Sequence, residues 1–154
     1  MCSSDLGLRP PLAGDVQVRG RPLQSLTPLE LARCIAVVLT ERLESPALSV
    51  RELIQLGRHP YTGWSGRMRR EDRLAVEGAM QQAGVVHLAD RLVGELSDGE
   101  RQRTLIARAV AQETAVMILD EPTAFLDLPR RVETADWLRR YARRQGRAVL
   151  LSTH

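Results

Sequence analysis

The chain has 154 residues, 44% apolar and 27% charged, which is room for one domain with a proper core and hardly for two. No window reaches the run of about 18 apolar residues that a bilayer-spanning helix needs, and the start, MCSSDLGLRPP, lacks the basic and apolar regions of a signal peptide. The net charge of +3 comes from arginines scattered among acids, which fits a solvated basic surface rather than a nucleic-acid groove, and none of the 22 basic residues is a lysine.

In chain order, GDVQVRGRPL alternates apolar and polar residues between glycines and predicts strand and turn around Val16, Val18 and Gly20. TPLELAR predicts a short helix with Thr27 as N-cap and Pro28 at its first position. CIAVVL, from Cys34 to Leu39, is apolar and β-branched and suits a buried strand. Ser49 and Glu52 form a capping box that opens VRELIQLGR. HPYTGWSGRM, with Pro60, Gly63 and Gly66, reads as a loop carrying Tyr61 and Trp64.

REDRLAVEGAMQQAG has the period of an amphipathic helix that stops at Gly84, and ELSDGERQRTLIARAVAQ begins another. AVMILD is a second buried strand. LPRRVETADWLRRYARRQG predicts a helix closed by Gly146, and RAVLLSTH a third strand. Continuous apolar strands alternating with helices predict an α/β fold with a parallel sheet covered on both faces. Cys2 and Cys34 offer no metal-ligand spacing or disulfide framework, and His59 and His87 stand alone as loop and helix-cap residues.

The chemistry gathers at the ends of two strands. VMILDEPTAFLD, Val116 to Asp127, runs four apolar residues straight into the adjacent acids Asp120 and Glu121. Two neighbouring carboxylates are costly to bury unless a cation lies between or beside them. Ligands of parallel sheets collect at the carboxyl ends of the strands, where His154 also falls. Such a group suits Mg²⁺ and phosphate, with one carboxylate on the metal and the other taking a proton from water. A solvated strand–loop junction is the other reading of the same residues. Upstream, LSDGE places a capping box, Ser97 and Glu100, at a helix start whose free N–H groups can meet phosphate or simply be capped.

Together these segments resemble the nucleotide-binding subunits of ATP-binding cassette (ABC) transporters. LSDGE is similar to the family's signature motif, VMILDEP to its Walker B strand, TAFLD to its D-loop and LLSTH to the strand of its switch histidine. The resemblance runs from Leu6 onward. It implies a P-loop NTPase-like parallel sheet with an inserted helical subdomain: a core at residues 6–44, the helical subdomain at 45–95, and the signature helix, Walker B, D-loop and switch strand at 96–154. It implies ATP and Mg²⁺ as cofactors, Asp120 on the metal, Glu121 as general base, and His154 as sensor of the γ-phosphate. Ser97 and Gly99, with Asp98 and Glu100 around them, would face nucleotide held by a second copy of the subunit, and Asp127 would act across the same dimer interface.

The sequence departs from the family pattern in places. Asp98 stands where a glycine is usual and Glu100 where a glutamine is. Glu41 takes the approximate place of a glutamine that binds Mg²⁺ and touches the membrane subunit. The lysine-bearing phosphate loop, Walker A, has no counterpart, so the resemblance implies a piece of a longer protein, inactive alone. SVRELIQLGRHPYTGWSGR, Ser49 to Arg67, is most similar to importers of iron–siderophores, haem or cobalamin.

That resemblance implies an ATPase at the cytoplasmic face of the inner membrane, with transmembrane permease subunits, a substrate-binding protein and no nucleic acid as partners. The permease would dock on the segment from Ser49 to Ala89 through exposed Tyr61 and Trp64. An ABC-type ATPase without a membrane partner, as in iron–sulfur assembly, and a non-catalytic half-site are the alternatives. The short, heptad-free stretch between Glu41 and Leu96 disfavours the DNA-associated members.

Overall fold

The computed structural model describes residues 14–39, 47–63, 66–122 and 127–152. Five strands and six α-helices lie along them. A hairpin of β1 (Gln17–Val18) and β2 (Arg21–Pro22) precedes α1 (Pro28–Cys34) and β3 (Ile35–Val38). Then come α2 (Val50–Gln55), α3 (His59–Thr62), α4 (Arg70–Gln82) and α5 (Asp98–Ala111). The order closes with β4 (Val116–Asp120), α6 (Leu128–Gln145) and β5 (Ala148–Ser152).

The hairpin turns on two residues of positive φ, Arg19 and Gly20, the pair of left-handed conformations that a two-residue turn matched to strand twist requires. The expected strand at Cys34 starts one residue later, because Ile35 donates its N–H back to Leu31 and so closes α1. As expected, the sheet is parallel, in the order β3–β4–β5, with Ile35 opposite Val116 and Val116 opposite Ala148.

Alternation sorts the strand residues onto two faces. Ala36, Val38, Met117, Leu119 and Val149 join the main core, where α5 and the Leu138 and Tyr141 side of α6 cover them. Ile35 and Ile118 face the other way, under Leu23, α1 and the hairpin. The main core runs without a break from the sheet through α5 into Val50, Leu53 and Ile54 of α2 and Val76, Ala79 and Met80 of α4. The helical segment is therefore welded to the sheet by α5 rather than carried on a separate core.

The segment around Tyr61 departs further from the sequence expectation. His59–Thr62 forms the short helix α3 rather than a loop. Tertiary contacts override local propensity here. Tyr61 is half-buried: its hydroxyl donates to the Gln112 carbonyl at 2.9 Å, and the Arg58 guanidinium lies 4.1 Å from its ring centroid. Tyr61 is thus partly packed rather than exposed as expected, while Trp64 lies outside the described residues.

Arg58 is the centre of this knot. It is 5% exposed, and its Nε donates to Asp72 at 3.0 Å while one terminal nitrogen donates to the Ala111 carbonyl at 2.8 Å and to Glu113 at 2.7 Å. A cation on the last carbonyls of α5 also suits that helix's negative end. The Gln112 side-chain amide donates to the carbonyls of Ala32 and Ile35, tying the same point to α1 and β3.

Candidate active site

β4 carries its three buried residues, Met117, Ile118 and Leu119, to a half-buried Asp120 level with Ser152 of β5. Glu121 then takes a φ of +44°, uncommon for a residue with a side chain, and its N–H donates to the Ser152 carbonyl at 3.1 Å. The two carboxylates are thereby set on a fixed turn at the carboxyl end of the sheet. Among the sequence-predicted residues, Asp120 and Glu121 come together with the end of β5, the strand that leads towards His154. His154 and Glu41 themselves lie outside the described residues.

The start of α5 is built as expected. The Ser97 hydroxyl donates to Glu100 at 2.7 Å, the Ser97 N–H donates to the same carboxylate at 2.9 Å, and the Glu100 N–H returns to the Ser97 hydroxyl at 3.4 Å. The Ser97 hydroxyl, and then its N–H, hold the Glu100 carboxyl below the usual carboxylate range. Asp98 is exposed and drawn to Arg101 at 3.1 Å, whose guanidinium also meets the Leu96 carbonyl. Its charge is so turned along its own helix. Gly99 is buried.

Asp127 has a role that the sequence reading missed. It is the N-cap of α6, accepting from the Arg130 N–H at 3.1 Å. Pro129 two residues on was the available signal.

The relation of the two clusters follows from α5. Arg108 reaches Val37 and Gln112 reaches Ile35, so α5 runs antiparallel to β3 and its start points towards the carboxyl end of the sheet. At about 1.5 Å per helical and 3.3 Å per strand residue, Ser97 stands roughly 10 Å further out than Asp120. The two clusters face the same end of the domain at different heights.

A hard, oxygen-rich end such as Asp120 and Glu121 suits Mg²⁺, which takes one or two carboxylates plus phosphate and water rather than an all-protein cage. No group of three or more acid, histidine or cysteine ligands exists among the described residues.

The ABC transporter family matches residues 4–124. The chain belongs to this family. It is 38% identical over 145 residues to the achromobactin transport ATP-binding protein CbrD of Dickeya dadantii, covering 94% of the chain and 54% of the relative. It is 37% identical over 143 residues to the iron(3+)-hydroxamate import ATP-binding protein FhuC of Bacillus subtilis, covering 92% and 53%. The structure of cbiO1 from Clostridium perfringens, part of the ABC transporter complex cbiONQ, superposes with a TM-score of 0.83 at 26% identity, over 99% of this chain and 60% of that one. The fold is therefore that of an ABC ATPase cassette. The chain spans about half the length of the curated relatives it matches. No helix among the described residues is long and apolar enough to cross a membrane.

Proposed function

We propose that this chain is the signature and Walker B part of an ATP-hydrolysing subunit that powers an importer of iron chelates or cobalamin. The observation that carries the reading is the fixed turn at Asp120 and Glu121, held to β5 by the Glu121 N–H. In this reading Asp120 would hold Mg²⁺ and Glu121 would take the proton of an attacking water. Bound Mg²⁺ would supply charge neutralisation of the phosphates. Ser97 and Gly99, set further out at the start of α5, would address nucleotide in a second copy, and Asp127 would order the start of α6 beside that interface. Glu41 and His154 would complete the site.

The phosphate cradle would come from sequence outside these 154 residues, since the chain holds no lysine. The relatives' named substrates support the iron-chelate assignment. Their names as import and transport proteins also support a permease-bound ATPase over a solitary one, and with it we propose a substrate-binding protein and a place at the cytoplasmic membrane face.

The test is reconstitution of the protein that carries this chain with its permease in liposomes. Mg-ATP should drive uptake of a ferric chelate or cobalamin, and Asp120→Asn should stop both hydrolysis and uptake. Hydrolysis without uptake would leave the solitary ATPase. No hydrolysis by the unaltered protein would sink the catalytic reading. The 154-residue chain alone should bind Mg-ATP no better than about 1 mM in a calorimetric titration.

A further inference from the structure

A recess lies between the end of α4, the start of α5 at Gly99 and the stretch of α6 from Arg130 to Arg140, and neither Asp120 nor Glu121 lines it. Its volume is about 260 Å³, the room of roughly nine waters. Ile106 and Trp137 give it apolar surface, and Arg103, Arg130 and Arg140 line it against the single acid Glu133.

The indole is locked in place. Its N–H donates to the Gln82 carbonyl at 2.8 Å, and Tyr141 stacks on it with centroids 5.5 Å apart and planes 10° from parallel. It therefore offers a prearranged aromatic surface rather than a mobile side chain.

The guanidinium groups arrive from two helices, Arg103 from α5 and Arg130 and Arg140 from α6. Arg130 leans towards Asp127 at 3.9 Å. Arg103 and Arg140 make no hydrogen bond or close ion pair among the described residues, and the Glu100 carboxylate that attracts Arg103 is shared with Arg91 at 3.8 Å. With Glu133 in the lining, Asp127 beside Arg130 and Glu100 shared by Arg91 and Arg103, positive charge remains in excess around this partly enclosed site, which favours an anion there. Guanidinium is weakly hydrated and matches a carboxylate with two parallel bonds.

We propose that this recess binds a small planar organic anion bearing two acidic groups. Its flat body would lie against Trp137 and Ile106, and its acids would be held by Arg103 and Arg140 from separate walls. The recess is slightly smaller than the roughly 300–1,000 Å³ usual for ligand pockets, which suits a small ligand. The inference stands independently of ATP hydrolysis.

Naphthalene-2,6-dicarboxylate is a suitable probe, titrated into the protein that carries this chain while the indole N–H resonance of Trp137 is followed by NMR. Trp137→Phe assigns that resonance. The expected result is a saturable shift with sub-millimolar affinity, weakened roughly tenfold in Arg103→Gln and in Arg140→Gln. Both side chains are exposed, so folding should survive, and an unchanged amide spectrum would show it. The proposal is overturned by no saturable shift up to about 10 mM, by equal affinity in both variants, or by equal binding of the neutral diamide.

Discussion

The backbone of Glu121 donates to Ser152 at 3.1 Å, one step beyond the last pair of the β4–β5 ladder, Asp120 and Ser152. This bond fixes a residue of positive φ whose side chain is the proposed base. Glu121→Gln keeps the shape and the bond but removes the proton acceptor. In the ATPase carrying this chain, turnover should fall about 10²–10⁴-fold while nucleotide affinity is retained. Near-normal steady-state hydrolysis would exclude Glu121 as the base.

Ser97 serves both as cap and, in the proposed function, as a phosphate contact. Two substitutions separate these roles. Ser97→Ala should cost about 1 kcal/mol of stability, whereas Ser97→Gly should cost only a few tenths. Both remove the hydroxyl, so hydrolysis should drop at least about tenfold in Ser97→Gly despite near-native stability. Parallel losses of activity and stability across the pair would leave Ser97 as a cap alone.

Gly57 marks a close approach that composition does not announce. A Cβ there would lie 2.3 Å from the Arg108 carbonyl oxygen on α5. The oxygen belongs to a helix backbone and cannot swing aside. Gly57→Ala should destabilise the chain by about 1–3 kcal/mol, read from urea unfolding. An unchanged midpoint would mean that the two elements part easily.

The Arg58–Asp72 pair gives the acid limb of stability. Burial alone would raise the Asp72 carboxyl, but the Arg69 N–H and Arg58 outweigh it and leave it below the ordinary value of 3.8. A depressed carboxylate stabilises fully above its unfolded value, and that contribution is lost as pH falls from there through the folded value. Stability should therefore decline below pH 3.8 more steeply in the parent than in Asp72→Asn. Near neutral pH, Arg58→Ala should cost about 3–5 kcal/mol by leaving Asp72 buried and unpaired. Superimposable pH curves for parent and Asp72→Asn would remove Asp72 as the cause.

The features legible in sequence are those with local causes. Ser49–Glu52 and Ser97–Glu100 are capping boxes because each pair is three residues apart, and β4 is a strand because its apolar run is short and unbroken. Ser97, Asp120 and Glu121 could be singled out for the same reason. Arg58 could not, since in LGRHPY it looks like any surface charge and its acceptors lie 14, 53 and 55 residues away. Tyr61 looked exposed because its acceptor, Gln112, is 51 residues on. Asp127 was given an interface role from the motif around it, while its local work as a cap went unread.

Gln112 also bears on the order in which the molecule assembles. Its amide meets carbonyls 80 and 77 residues earlier in the chain, whereas each capping box closes over three. Closing so long a loop forfeits chain entropy before any contact compensates for it, so the helix starts can form early and the Gln112 junction late. Interactions that form after the rate-limiting step act mainly on the rate of coming apart. Gln112→Ala should accordingly steepen the loss of native protein in stopped-flow unfolding and leave refolding nearly as fast as before. The junction is a latch on a finished cassette, not the seed from which it grows.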